Sequence, residues 1–365
     1  MKENLEEDLH IEDVGSINQN LPENKKIKAK IKKLIIPIIF SNFIIVAVII
    51  IIILIINKSD KKITKGEIQC EYYIELTSTE TNILGKDFNK KSDFAIEIND
   101  TIIKYTKYYK FSNIGIQKVK FLIYEDIKME KMFKDVKALT SVIMKSEQNL
   151  KIKTVNSAFE NCEKLTNVKI IGFNPMEIQS MSKLFYKSGI IYFNTDYLNT
   201  KNLLDISYMF AETPLKNIDL SLLYTSNIID MSHLFENCTS LSEINLSNLK
   251  IEKVKNMANM FKGCENLEIT DFSSIKTDNL ENMSNMFSDC ITLSSIDLSN
   301  LNTKLVKDMS FLFNNCNSLK KISIENFDTS NVVNMANLFA GCISHPESTG
   351  LWCVATHHAY FQTIE

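Results

Sequence analysis

The 365-residue chain contains no arginine; its 41 basic residues are all lysine. Planar, bidentate recognition of phosphate, carboxylate or guanine rests heavily on the arginine fork. Nucleic acid is therefore not expected as a partner, and a net charge of −3 implies no strongly charged one. Glycine is scarce, with nine residues in all, and no glycine-rich phosphate loop can be found among them. Histidine occurs five times, at 10, 233, 345, 357 and 358, and no Ser–His–Asp or Cys–His arrangement can be built from these. Carboxylates are scattered over polar corners, with no recurring pair suited to acid–base work. The expectation is a non-catalytic protein without a cofactor.

One long apolar run is present. Residues 34–56, LIIPIIFSNFIIVAVIIIIILII, comprise 23 positions without a charge. That is long enough to span about 30 Å of hydrocarbon. It starts 33 residues in and lacks a small-residue cleavage site after it, which favours an uncleaved anchor over a signal peptide. Lysines cluster before it (Lys25, Lys26, Lys28, Lys30, Lys32, Lys33) and are diluted by Asp60 after it. That excess predicts a type II, single-pass protein of the plasma membrane with the larger part outside. The expected organisation is a disordered cytoplasmic tail at 1–33, a transmembrane helix at 34–56 holding the membrane through Leu34–Ile56, and a stalk at 57–66. A small antiparallel β module follows at 67–124, read from its alternating Ile-, Val-, Tyr- and Phe-rich runs with a turn at Asn99-Asp100.

From about 125 to 342 one phrase repeats. Phenylalanine falls at 133, 159, 185, 210, 235, 261, 287, 313 and 339, spaced by 25 or 26 residues. A period in that range signals a solenoid. Numbered from Phe133, Phe159, Phe185, Phe210, Phe235, Phe261, Phe287, Phe313 or Phe339, methionine usually stands at −4, Met, Leu or Ala at −1, and Leu at +6. The offsets −4, −1, 0 and +3 trace one face of a helix. Asn or Asp just ahead of the methionine suits a helix start. After the leucine the period changes to two, as in Ile244/Leu246 and Ile296/Leu298. The predicted fold is therefore an α/β repeat solenoid, leucine-rich-repeat-like, with one short strand and one short helix per repeat. At about 4.8 Å per stacked strand, nine repeats make a rod on the order of 40 Å long.

At +3 stands cysteine in six copies: Cys162, Cys238, Cys264, Cys290, Cys316 and Cys342. Stacked at one offset these would lie about 5 Å apart, near enough for disulfides in principle. Their side chains would point in parallel, however, and Val136, Ser188 and Thr213 fill the same slot elsewhere. Small buried filler with free thiols is the better reading. The tail, 343–365, holds His345, Cys353 and His357, which with Cys342 have ligand-like spacing for zinc. Cys342 already belongs to the column, so no metal is assigned. Leu351, Trp352, Tyr360 and Phe361 read instead as a cap over the end of the stack.

The string DMSxLFxNCxSLxxIxLSxLxT, in outline at 230–251 and 308–329, resembles the 25–26-residue repeats of BspA-like leucine-rich-repeat surface proteins of mycoplasma and protist type. That resemblance implies a cell-surface location and a role in adhesion or recognition, and it brings no catalytic residues. The repeats around Phe185 and Phe210 depart from the pattern, with the cysteine replaced and one residue lost: a kink, a binding patch or simple drift. Exposed strand-side positions (Ser242/Glu243, Glu268, Ser294/Ser295, Lys320/Lys321) vary while the core does not. A surface that binds a protein or glycan would show this, and so would a passive coat or sensing protein. With the topology reversed, an intracellular membrane-tethered scaffold would fit. Sequons stand at Asn99, Asn237, Asn245 and Asn282, of which Asn99 and Asn245 lie outside the packed phrase and are the expected glycosylation sites.

Overall fold

A computed structural model describes residues 62–342, apart from 90–92, 175–177, 195–199, 221–222, 247 and 273. Its strands, in chain order, are β1 (Gly66–Ile74), β2 (Thr81–Asn82), β3 (Phe94–Ile98), β4 (Thr101–Ile103), β5 (Tyr108–Tyr109), β6 (Gly115–Ile123), β7 (Ile127–Lys128), β8 (Leu139–Ser146), β9 (Ile152–Thr154) and β10 (Asn167–Ile171). Four more follow: β11 (Glu243–Asn245), β12 (Ile269–Asp271), β13 (Ser295–Asp297) and β14 (Lys321–Ser323).

A six-stranded sheet runs in the order β10-β8-β1-β6-β3-β4. β1 is antiparallel to both β6 and β8, while β10 lies parallel to β8. β3 and β4 form a hairpin closed by Asn99 and Asp100, both in the left-handed region (φ 50 and 58), as a tight two-residue turn requires. β8 and β10 belong to the repeats of Phe133 and Phe159, so the β module and the first repeats share one sheet. Ile68, Cys70, Tyr72, Val119, Phe121 and Val142 line its buried face. Further along, β11, β12, β13 and β14 form a parallel sheet, with Ile296 opposite Ile322, one repeat apart.

The expected helix in each repeat is not there. The described residues contain no helix. At −2 and +2 from the phenylalanine every repeat takes positive φ, between 55 and 78°. A right-handed helix cannot hold a left-handed residue at every fourth position. The segment is instead a run of turns. Met132, Lys134 and Val136 donate their amides three residues back, to Met129, Lys131 and Phe133. The alternate amides, of Met129, Lys131, Phe133 and Asp135, donate to Thr154, Asn156, Ala158 and Glu160 of the next repeat, at 2.8–3.0 Å. Half the amides thus close turns and half tie neighbours together, and the alternation recurs along the stack. Successive three-residue turns return side chains to one face at nearly the spacing of a helix, which is why the −4, −1, 0, +3 pattern misled. The strand in each repeat is also not universal. Between β10 and β11 the described residues carry only isolated bridges such as Asp205 with Asp230 and Asp219 with Asn245.

A second correction concerns the membrane. Among the described residues no helix is long and apolar enough to cross one. The transmembrane helix, the type II single-pass architecture and the plasma-membrane placement therefore have no counterpart among the described residues. The expected tail and span, 1–33 and Leu34–Ile56, lie outside the described residues, as does 343–365.

Candidate recognition surface

All nine column phenylalanines are buried. Their rings stack continuously, 5.5–5.9 Å between centroids and at most 16° from parallel. Phe193 fills space beside Phe185 and Phe210 where the shortened repeats lack a strand.

The cysteines of the column are free. Each thiol donates to the carbonyl of the preceding repeat's phenylalanine: Cys162 to Phe133, Cys238 to Phe210, Cys264 to Phe235, Cys290 to Phe261, Cys316 to Phe287 and Cys342 to Phe313, at 3.0–3.2 Å. Burial pushes these thiols up, Cys238 to about 11, so thiolate chemistry is suppressed along the column. Among the described residues no cluster of ligand types could hold a metal. Asn99 and Asn245 are both exposed.

Outward-facing side chains sit on the turn face at −6, −5, −2, +1 and +2. The Asn or Asp at −5 is occupied structurally. Asp205, Asp230, Asn256, Asn282, Asp308 and Asn334 each accept, through Oδ1, the amide two residues on. At −2, repeats six, seven and nine carry Asn259, Asn285 and Asn337. Repeats three to five carry Lys183, Tyr208 and His233 instead, and these form one stacked row. The Tyr208 and His233 rings lie 4.0 Å apart and 9° from parallel. The Lys183 ammonium sits 5.2 Å from the Tyr208 ring centre and 5.8 Å from that of Tyr186. Lys183 makes no ion pair among the described residues, whereas Lys187 pairs with Glu212 at 3.3 Å. The Tyr186 hydroxyl donates to Glu212 Oε1 at 2.8 Å. His233 Nδ1 meets Glu236 Oε2 at 2.6 Å, and its Nε2 faces the Asn259 amide at 3.3 Å. Burial raises the pKa of Tyr186 and of Tyr208, and for Tyr186 the bond to Glu212 adds to it.

Beside this row, at −6, Leu204 and Ile229 are 38% and 41% exposed, where later repeats place Lys255, Glu281 and Lys307. Repeats three to five thus carry an aromatic and aliphatic patch with an ammonium over its rings, where repeats six and seven carry amides and paired charges; single apolar residues recur further on, as Phe311 at −2 and Val333 at −6. Sequence reasoning marked the repeats of Phe185 and Phe210 as aberrant. It missed Lys183, Tyr186, Tyr208, Leu204 and Ile229. Comparing the −6, −2 and +1 columns across repeats would have found them. The expected variable positions Glu243, Ser295 and Lys321 are exposed on the opposite, strand side. A groove of about 300 Å³ on the open face of the six-stranded sheet is lined in part by paired charges, Lys120 with Glu97 at 2.7 Å and Lys118 with Glu71 at 3.7 Å.

The repeats match a known family, described as "Mycoplasma protein of unknown function, DUF285", over residues 127–243, 205–321 and 292–362. The chain belongs to this family. Members are thus recognised over the solenoid and not over the β module ahead of it. Among curated proteins, none matches the chain. Of solved structures, a leucine-rich repeat protein from Bacteroides ovatus ATCC 8483 is similar at 18% identity and a TM-score of 0.28, over 56% of this chain and 59% of that one. The chain therefore spans less than two thirds of that protein's length. A leucine rich cell surface protein from Faecalibacterium prausnitzii A2-165 is similar at 16% identity and a TM-score of 0.23, over 73% of this chain and 96% of that one. At TM-scores this low, neither likeness decides anything about this chain.

Proposed function

We propose that the protein is a cell-surface repeat protein that works by recognition and not by catalysis. Its solenoid contacts a protein, a glycan or another surface, and the contact is the turn-face patch of repeats three to five. The finer placement among BspA-like leucine-rich-repeat surface proteins is part of the same reading, supported by the recurring DMSxLFxNC phrase. One observation carries the proposal. Tyr186, Tyr208, His233, Leu204, Ile229 and Lys183 bring rings, aliphatic side chains and an ammonium together on adjacent repeats tied by backbone hydrogen bonds, where repeats six and seven carry amides and paired charges. A stacked backbone presents such side chains at low conformational cost, and aromatic residues dominate interface energetics.

The test is binding of the labelled full chain to intact cells and to immobilised glycans. The triple variant Lys183→Glu, Leu204→Asp, Ile229→Asp changes two exposed side chains and the half-buried Lys183. Binding should weaken at least tenfold, on the scale of a lost hot spot, with an unchanged melting temperature. Lys321→Glu, on the strand side, should leave binding intact. Equal binding by the triple variant and the parent would remove the patch from the reading. Absence of binding by the parent to every probe would favour a passive coat.

A further inference from the structure

The six-stranded sheet ends differently on its two sides. β8 and β10 are strands of the first two repeats, so the stack grows outward from the β10 side. At the other side lies β4, Thr101–Ile103, which pairs with β3 alone. Ile98 and Thr101 flank the two-residue turn and form its hydrogen-bonded pair. The next pair, Glu97 with Ile102, is therefore non-hydrogen-bonded, and Glu97 turns its amide and carbonyl to Lys120 of β6. Ile102 accordingly aims both its backbone groups away from the sheet, along an edge that no described strand covers. Its side chain is 61% exposed. Asp100 and Lys104 stand two residues to either side of it, both exposed and neither in an ion pair among the described residues.

We infer that β4 is a docking edge for a second copy of this chain: the β4 strands of two copies pair antiparallel about a two-fold axis at Ile102 and join two sheets into one. Such an interface is isologous, so each residue meets its mirror position. The two Ile102 residues then exchange both backbone hydrogen bonds, and Thr101 lies opposite Ile103. Asp100 of each copy comes beside Lys104 of the other. Charge selects a second copy over an unrelated strand. A lysine on a short edge strand disfavours general pairing, and only a strand with a carboxylate at the mirrored position removes that cost. This edge supplies its own complement. The fold also leaves room, since the repeats of each copy continue from the far side of the joined sheet. The contact is separate from the turn-face patch, and it is short. A weak dimer is therefore expected, strengthened where copies are held close together.

Paired Cα atoms about 5.5 Å apart fall within the span of a disulfide. Under mild oxidant, the full chain with Ile102→Cys should form a covalent dimer much faster than the parent. It should also outpace Ile114→Cys, whose side chain is equally open but lies off β4. Adding Lys104→Asp to Ile102→Cys should slow the link about tenfold, on the scale of a like-charge contact. Adding Asp100→Lys as well should restore it, because the two charges are then exchanged and still complementary. In the parent, amide exchange at Ile102 should slow as protein concentration rises. Equal rates for Ile102→Cys and Ile114→Cys would overturn the inference. So would a double charge swap that stays as slow as the single one while melting at the parental temperature. Slow exchange at Ile102 at every concentration would assign the edge to another segment of the same chain, and it too would overturn the dimer.

Discussion

At the scale of single residues, the turn face depends on left-handed backbone. The +2 slot is held by Asp135, Asn161, Asn237, Asp289 and Asn315, and by Gly263 and Gly341 at φ 70 and 78. Short polar side chains and glycine tolerate that region, whereas other residues are strained there by roughly 1–2 kcal/mol. Lys187 and Glu212 are the two departures in this slot, at φ 58 and 55, and they pair with each other inside the patch. Strain kept where two side chains are used is consistent with selection on that surface. Gly263 separates conformational from steric cost. An added Cβ there would lie 2.2 Å from Asn237 Oδ1, an atom on a side chain that can swing aside. Gly263→Ala should lower stability by about 1 kcal/mol. Gly263→Asn should cost less although it is larger, because Asn315 fills the equivalent slot and donates to Asp289 at 2.8 Å. Urea midpoints of the two variants decide it: the reverse order would mean that space, and not φ, governs the position.

At the scale of the element, the columns were legible and the backbone path was not. The period of 25 or 26 residues, the buried Phe, Met and Leu slots and the thiol slot follow from recurrence, since only packing imposes one residue type on every copy. Helix and turn-stack share the same side-chain spacing, so periodicity could not separate them. The Asn, Asp and Gly at +2 could have done so, because they sit mid-phrase where a helix would disfavour them. The patch was harder to see, being a departure from columns whose own rule had to be known first. The thiol column carries its own prediction. Ser188 occupies a cysteine slot, and its buried hydroxyl has no hydrogen-bond partner. The longer Cβ–Sγ bond lets cysteine reach the preceding phenylalanine carbonyl, where serine falls short. Ser188→Cys should therefore stabilise the protein by about 1 kcal/mol, the order of an unsatisfied buried hydroxyl relieved. Thermal unfolding would show a higher midpoint. No gain would mean that the hydroxyl is solvated, or that Phe159 does not present its carbonyl to this slot.

For the whole molecule, the same column ties stability to pH. Burial raises the column's Cys162, Cys264, Cys290 and Cys316, and Cys70 of β1, above their ordinary value, and it raises Cys238 from 9.0 to about 11. A thiol held protonated in the folded state stabilises it fully below the unfolded pKa. As pH rises past that value the unfolded chain releases the proton and the folded chain does not, so stability falls until the folded pKa is reached. For Cys238 the window runs from about 9 to about 11, with a slope of roughly 1.4 kcal/mol per pH unit. The other buried thiols begin to contribute at the same lower limit and steepen the loss. Because each repeat is bonded to the next through alternate amides, the loss is expected as one cooperative transition and not as fraying of single repeats. Denaturation midpoints should hold steady from pH 7 to 8.5 and fall steeply above pH 9, less steeply in Cys238→Ala. A profile flat to pH 11 would mean that the thiols ionise in the folded chain, and hence that the column opens to water without unfolding.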